Sequence, residues 1–238
     1  MTEAEGEMTM HLLLLPGLGC DAGLWAGVTA LLEGTGLITE VADLTQDETI
    51  AAMAQRALLA APEAFALVGM SMGGYVALEV MRQAPGRVTH LGLFDTSGRA
   101  DDPERQQRRR EGIVLAEAGK YAQVVANALP GLLAPANVDG PIGAELRAMM
   151  LRVGAKTYMR QQQAILSRVD SRPSLGAITV PTLVAVGDLD TLTPRVLSVE
   201  LAAGIDGAEL MSIPGAGHST PMEAPAVVTG LIGALLHR

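Results

Sequence analysis

Residues 69–73 read Gly-Met-Ser-Met-Gly, a G-x-S-x-G pattern whose serine belongs to a residue type that can act as a nucleophile. The pattern directly follows the apolar run of residues 65–68 and opens a helical pattern that continues to Gln83. In this context a tight strand-to-helix turn exposes the serine hydroxyl, and small residues are needed on either side because bulk would clash with the neighbouring strand or helix. The start of the helix also offers free N–H groups to an oxyanion. We therefore predict that Ser71 is a nucleophile, the alternative being a capping serine in a plain glycine-rich turn.

A serine hydroxyl needs a base to take its proton, and the chain has four histidines that could supply one. His218 lies in a glycine-rich loop between the last strand pattern and the last helical pattern, at the sheet edge where the Ser71 turn is expected. His11 and His90 fall within strand patterns, and His237 is one residue from the end of the chain. The sequence therefore favours His218 as the base.

A histidine that acts as a base is usually oriented by a carboxylate, and aspartates in two loops could do this. Asp190 and Asp188 share the loop Gly187-Asp-Leu-Asp190, and Asp95 ends an earlier strand pattern. All three are expected at the carboxyl edge of the sheet. We favour Asp190 and leave Asp188 and Asp95 open.

Strand and helix patterns alternate at both ends of the chain, which predicts right-handed βαβ units and a mostly parallel sheet with helices on both faces. The strand patterns cover residues 8–15, 36–44, 65–68, 88–94, 180–186 and 209–213, and the helical patterns between them cover residues 49–61, 72–83, 194–203 and 222–237.

The region between residues 98 and 178 carries helical patterns only, at 102–118, 121–129, 142–153 and 156–167. We predict an α/β core made of residues 1–97 and 179–238, with residues 98–178 inserted as a helical cap over the sheet edge. A separate helical domain is disfavoured because strand patterns return at residues 180 and 209.

Four motifs carry a resemblance to the α/β-hydrolase fold superfamily. They are Leu15-Pro-Gly-Leu18-Gly, Gly69-Met-Ser71-Met-Gly-Gly74, Gly187-Asp-Leu-Asp190 and Gly217-His218, and the resemblance covers residues 8–238. It implies a sheet of about six strands, because the chain starts at what is usually the third strand of the fold. It places the triad acid at the fourth position of the Gly-x-x-Asp tetrad, which is Asp190. It also implies an oxyanion hole formed by the backbone N–H groups of Leu18 and Met72.

This resemblance implies a serine hydrolase without a cofactor or metal, which cleaves a carboxylic ester, lactone or thioester through an acyl-enzyme. Carbon–carbon bond hydrolysis, acyl transfer, a lyase reaction and slow-turnover ligand reception are alternatives on the same scaffold. Dehalogenase and epoxide hydrolase activities are disfavoured because they need a carboxylate where Ser71 stands. The chain departs from most relatives at Pro16-Gly17, where they have His-Gly, so the hydrogen bonds that shape the oxyanion loop are expected to differ.

Two groups of side chains in the predicted cap are candidates for contact with substrate. Met149, Met150 and Met159 are candidates for an adaptable acyl pocket, with ordinary helix packing as the alternative. Arg105 and the run 108–110 could meet an anionic substrate, but acidic neighbours favour a solvated helix face.

The composition limits the class of protein and its partners. Of 238 residues, 49% are hydrophobic and only Cys20 is a cysteine, so we expect a full core and no internal disulfide. A net charge of −9 disfavours nucleic acid as a partner, and we expect neither a membrane span nor a secretory leader, because the apolar run at residues 12–15 is short and residues 1–7 are acidic. We expect a cytoplasmic protein with a small-molecule substrate, as a monomer or a homodimer. Cys20 and Trp25 are interpreted as packing residues.

Overall fold

The computed structural model describes residues 10–238. Within them a single sheet contains six strands in the spatial order β2-β1-β3-β4-β5-β6, and every neighbouring pair is parallel. The strands are β1 (His11–Leu15), β2 (Ile38–Val41), β3 (Phe65–Met70), β4 (Val88–Phe94), β5 (Thr182–Gly187) and β6 (Glu209–Ile213). The prediction of a mostly parallel sheet of about six strands is confirmed. The chain reverses its direction of travel across the sheet between β1 and β3, and in open α/β sheets ligands bind at this position, beyond the carboxyl ends of the strands.

Helices cover both faces of the sheet, as predicted. They are α1 (Ala26–Leu32), α2 (Ile50–Ala60), α3 (Met72–Gln83), α4 (Pro103–Glu117), α5 (Tyr121–Leu132), α6 (Pro141–Leu166), α7 (Arg195–Gly204), α8 (Thr220–Glu223) and α9 (Pro225–Leu236). Buried residues of α1 and α9 share one apolar layer, and those of α2, α3 and α7 share the other.

The four leucines of β1 explain why this strand has no polar face. Leu12 and Leu14 pack into the layer of α1 and α9, whereas Leu13 and Leu15 pack into the layer of α2 and α3. Each is at most 3% exposed. Burial of a leucine side chain contributes about 1.5–3 kcal/mol, so this central strand anchors both layers.

Several element boundaries differ from the sequence patterns. The second strand is only four residues long, because it lies at the sheet edge and alternates between exposed and half-buried positions. The expected last helix is divided into α8 and α9, because Pro225 has no backbone N–H and Ala224 before it is extended (φ −140°). The predicted start of the first strand at residues 8 and 9 lies outside the described residues.

Between Phe94 and Thr182 the structure contains helices but no strand. In this segment α4 and α5 both pack on α6. The last of these helices is interrupted at Gly154, whose φ of +86° divides it into the two helices expected at residues 142–153 and 156–167. The function of this segment as a cap over the site stays a prediction. None of the helices among residues 10–238 combines the length and the apolar character that crossing a membrane requires.

Candidate active site

Ser71 lies at the junction of β3 and α3 with φ +55° and ψ −115°, a backbone conformation that residues other than glycine rarely adopt. Such strain costs about 1–3 kcal/mol and needs surrounding structure to maintain it. Two hydrogen bonds do so. The Ser71 N–H donates to the Phe94 carbonyl at 3.0 Å, and the Thr96 hydroxyl donates to the Ser71 carbonyl at 2.8 Å.

The glycines on either side of Ser71 allow the backbone segments to approach closely. A Cβ at Gly69 would overlap the Gly73 carbonyl group, and one at Gly73 would overlap the carbonyl oxygen of Leu15. The first turn of α3 therefore packs directly on the backbone of β1, which explains why the sequence requires G-x-S-x-G at this junction.

His218 lies in the loop between β6 and α8 and connects Ser71 to Asp190. Its Nε2 is 2.8 Å from Ser71 Oγ, and its Nδ1 is 2.8 Å from Asp190 Oδ2. Only 1% of His218 is exposed. With its proton on Nδ1, the imidazole donates to the carboxylate and leaves Nε2 free to accept the serine proton.

Asp190 is held rigidly by its own loop. The backbone N–H groups of Leu192 and Thr193 donate to Oδ1 at 2.8 and 2.9 Å, and the Thr193 hydroxyl donates to Oδ2 at 2.5 Å. Burial opposes ionisation of the Asp190 carboxyl, but the charge and hydrogen bond of His218 and the bonds from Thr193 outweigh it and hold its pKa below the ordinary value. The group is therefore a carboxylate at neutral pH.

The two competing aspartates bond elsewhere. Asp95 is fully buried at the end of β4. Its Oδ1 accepts a hydrogen bond from the Gly187 N–H at 2.8 Å, and its Oδ2 accepts one from the Thr220 hydroxyl. Burial and the nearby charge of Asp190 raise the pKa of Asp95 well above its ordinary value. Asp188 is exposed and accepts the N–H of Gly215 at 2.8 Å, which fixes the loop.

The two segments that carry the expected oxyanion donors, the start of α3 and the turn at residues 17–20, both adjoin Ser71. Met72 begins α3, and the first N–H groups of a helix have no partner within the helix. Leu18 lies in a turn closed by a 3.2 Å bond from the Cys20 N–H to the Gly17 carbonyl. A Cβ at Gly17 would lie 3.6 Å from Ser71 Cβ, so this turn packs against the nucleophile candidate.

Two of the three methionines proposed for the pocket lie near this turn or the segment that follows it. Met149 and Met150 are fully buried, and Met159 is partly buried. A Cβ at Gly19 would lie 3.3 Å from Met150 Cε, and one at Gly23 would lie 3.2 Å from Met149 Cε. Their contribution to a substrate pocket stays a prediction.

Each arginine of the run on α4 has a partner within the protein. Arg108 pairs with Glu104 and Arg109 with buried Asp101, both at 2.5 Å. Arg110 donates to the side chain of Gln106 and Arg105 to the Leu192 carbonyl. This geometry matches a helix face with internal partners.

Cys20 and Trp25 are both buried near the Leu18 turn. Burial raises the pKa of the Cys20 thiol to about 12, so the reactive thiolate is not formed at neutral pH. Trp25 packs edge-on against Phe94 with ring centroids 6.4 Å apart.

Comparisons with known proteins identify the family. A family model described as the alpha/beta hydrolase fold matches residues 15–225. The chain belongs to the α/β-hydrolase fold family. This α/β hydrolase is 30% identical to a putative carbamate hydrolase RutD from Variovorax paradoxus, over 94% of the chain and 89% of that protein. It is 25% identical to a pimeloyl-[acyl-carrier protein] methyl ester esterase from Nitrosomonas europaea, over 94% of both chains.

Solved structures of α/β hydrolases show the same fold. A thermophilic esterase from Thermogutta terrifontis superposes with a TM-score of 0.87 and 27% identity, over 96% of this chain and 89% of the other. An enol-lactonase from Burkholderia xenovorans LB400 superposes with a TM-score of 0.86 and 22% identity, over 99% of this chain and 94% of the other. This similarity is one of fold.

Three residues that support the site of this α/β hydrolase were missed in the sequence. Thr193 lies between Asp190 and His218, with its hydroxyl 3.2 Å from His218 Nδ1. Glu223 accepts the Gly217 N–H at 2.9 Å and the Ala134 N–H at 2.7 Å, which ties the histidine loop to the end of α5. Gln161 accepts from Gly19 in the Leu18 turn. The Thr193-Pro194 pair, three residues after Asp190, could have pointed to Thr193 in the sequence. No local pattern marks Glu223 or Gln161.

Proposed function

We propose that this α/β hydrolase is a serine hydrolase that cleaves a carboxylic ester, lactone or thioester through an acyl-enzyme on Ser71. The observation that carries the proposal is the continuous row of hydrogen bonds from Ser71 Oγ through His218 to Asp190, with both links 2.8 Å long. This arrangement lets a serine lose its proton as it attacks, because the base is in contact and already oriented.

In the acylation step, Ser71 Oγ forms a bond to the carbonyl carbon while its proton passes to His218 Nε2. The negative charge of Asp190 stabilises the imidazolium that results. The N–H groups of Leu18 and Met72 donate to the oxyanion of the tetrahedral intermediate, and this stabilisation is usually the largest contribution to the rate. The bond to the leaving group then breaks, and the proton on Nε2 passes to the oxygen or sulfur atom of that group, which becomes an alcohol or a thiol.

Water reverses these roles in the deacylation step. It gives a proton to His218 Nε2 while its oxygen attacks the acyl carbonyl, and the proton then returns to Ser71 Oγ as the acid is released. Similarity to the Thermogutta terrifontis esterase and to the methyl ester esterase from Nitrosomonas europaea supports an ester as substrate. A carbamate is the second candidate, because the putative carbamate hydrolase from Variovorax paradoxus is similar over nearly its whole length.

A substrate panel tests this function. p-Nitrophenyl esters of graded acyl length, lactones, acyl thioesters and a p-nitrophenyl carbamate are assayed with the parent, Ser71→Ala and Ser212→Ala. Ser212 is an exposed serine on β6 and serves as the matched control. We expect turnover of at least one ester by the parent and by Ser212→Ala, and none above background by Ser71→Ala. Turnover by Ser71→Ala within tenfold of the parent would refute the proposal, and a preference for the carbamate would select the second candidate.

A further inference from the structure

A buried glutamine joins the predicted oxyanion turn to two other parts of the fold. Gln161 lies in the second half of α6, and its side chain is fully buried. Its Oε1 accepts the backbone N–H of Gly19 at 2.8 Å, and its Nε2 donates to the carbonyl oxygen of Leu44 at 3.0 Å. One amide therefore connects the helical segment, the turn after β1 and the loop after β2.

The shape of the turn explains why this hydrogen bond matters. Residues 17–20 form a β-turn whose third residue, Gly19, has φ +70°, as in a type II turn. The peptide between Leu18 and Gly19 forms the centre of such a turn, and rotation of this peptide converts type II into type I. Gln161 holds its N–H end, and the thiol of Cys20 lies 3.6 Å from its carbonyl oxygen. Both ends of the central peptide are thus held.

We infer that Gln161 is a positioning residue for the oxyanion hole. By anchoring the peptide that follows Leu18, it keeps the whole turn in place against Ser71, and with the turn the Leu18 N–H of the preceding peptide. This inference rests on the proposed function, because it assigns Gln161 a part in the same reaction. A donor to an oxyanion is effective only when it is oriented before the charge develops.

The chemistry of the side chain supports this assignment. Gln161 must accept from one backbone group and donate to another in a fully buried place, and an uncharged amide does both at once. An apolar side chain of the same size would leave the Gly19 N–H and the Leu44 carbonyl without partners. The turn would then gain stability by shifting until the Gly19 N–H reaches another acceptor, and this shift would move Leu18 relative to Ser71.

The chain offers a matched control on the same helix. Gln162 is 5% exposed, and its amide accepts from Arg109 and donates to the Tyr158 hydroxyl at 2.8 Å each. Gln161→Met and Gln162→Met therefore remove the same chemistry from neighbouring buried positions. Gln161→Glu keeps an oxygen that can accept from Gly19, although its carboxylate cannot donate to Leu44, and serves as the variant that retains the bond to the turn.

The test compares a ligand that forms an oxyanion with one that does not. An alkyl trifluoromethyl ketone adds to the serine and places a negative oxygen in the oxyanion hole, whereas the corresponding methyl ketone binds as a neutral ground-state analogue. For Gln161→Met we expect kcat for p-nitrophenyl acetate and affinity for the trifluoromethyl ketone to fall by about 10- to 100-fold, part of the full loss of an oxyanion donor. KM and methyl ketone affinity should stay within about threefold, because ground-state binding does not use this donor.

Gln162→Met and Gln161→Glu are compared with Gln161→Met in the same assays. Gln162→Met should keep every value within about threefold of the parent, and Gln161→Glu should recover most of the lost kcat. Equal losses for the two ketones, or equal effects at positions 161 and 162, would overturn the inference. Gln161→Asn, which shortens the side chain, repeats the comparison if Gln161→Met does not fold. A fluorophosphonate that fails to label Ser71 in the parent would instead overturn the proposed function itself.

Discussion

Replacing Asp190 by asparagine changes the hydrogen bonds of the site without a large change in volume. Oδ1 of Asp190 accepts the N–H groups of Leu192 and Thr193, so the amide oxygen must take this position and the NH₂ group must take that of Oδ2. The NH₂ group then donates to Nδ1 of His218, which moves the imidazole proton to Nε2. A proton on Nε2 prevents transfer from Ser71.

The size of the effect follows from the two orientations open to the amide. The wrong imidazole tautomer costs about 10⁴-fold in turnover in the well-studied serine-protease case, or about 5.5 kcal/mol. The reverse orientation points NH₂ at two buried backbone donors and costs about 2–6 kcal/mol, since two hydrogen bonds are lost. The reverse orientation restores the productive tautomer, so its cost limits the loss, and we expect kcat of Asp190→Asn to fall by about 30- to 10⁴-fold.

Steady-state hydrolysis of p-nitrophenyl acetate measures this loss, with circular dichroism to confirm that the variant is folded. Asp95→Asn and Asp188→Asn are the controls, and both should stay within about tenfold of the parent. Asp95 has a raised pKa and bonds away from the histidine, and Asp188 is exposed. A nearly active Asp190→Asn together with an inactive Asp95→Asn would contradict the assignment of Asp190 and show that Asp95, at the end of β4, is the acid that orients His218.

Two further outcomes follow from the structure. Although burial opposes its ionisation, Arg168 and Arg109 lower the pKa of Asp101 to about 2. Its stabilisation is therefore complete above about pH 4 and is lost as pH falls toward 2, and urea denaturation of Asp101→Asn at pH 7 should show a loss of about 2 kcal/mol. Met159→Ala should change the preference among acyl lengths more than the turnover of p-nitrophenyl acetate, and equal losses would show that this side chain acts through folding.

Local patterns in the sequence were sufficient to predict the positions of the candidate residues that lie at the ends of strands. The buried run before Gly69 and the helical pattern after it located the Ser71 turn, and the glycine-rich segments after β5 and β6 located Asp190 and His218. Since the strands are parallel, their carboxyl ends meet at one edge, so residues far apart in the chain could be expected to come together.

Contacts between distant segments had no such signal. Gln161 bonds to residues 142 and 117 positions away, and Glu223 bonds to a residue 89 positions away. These partners of Gln161 and Glu223 are backbone groups, which almost every residue type carries, so no residue type at the other end marks the contact. The choice between Asp190 and Asp95 was hidden for a different reason, since it depends on the directions of two side chains at neighbouring strand ends.

Covalent labelling followed by peptide mapping tests whether Ser71 is the nucleophile. The parent and Ser71→Ala are treated with a fluorophosphonate, digested and analysed by mass spectrometry. We expect a single label in the parent, on the peptide that contains Ser71, and no label in the variant. A label at another serine, or labelling that persists in Ser71→Ala, would contradict this assignment.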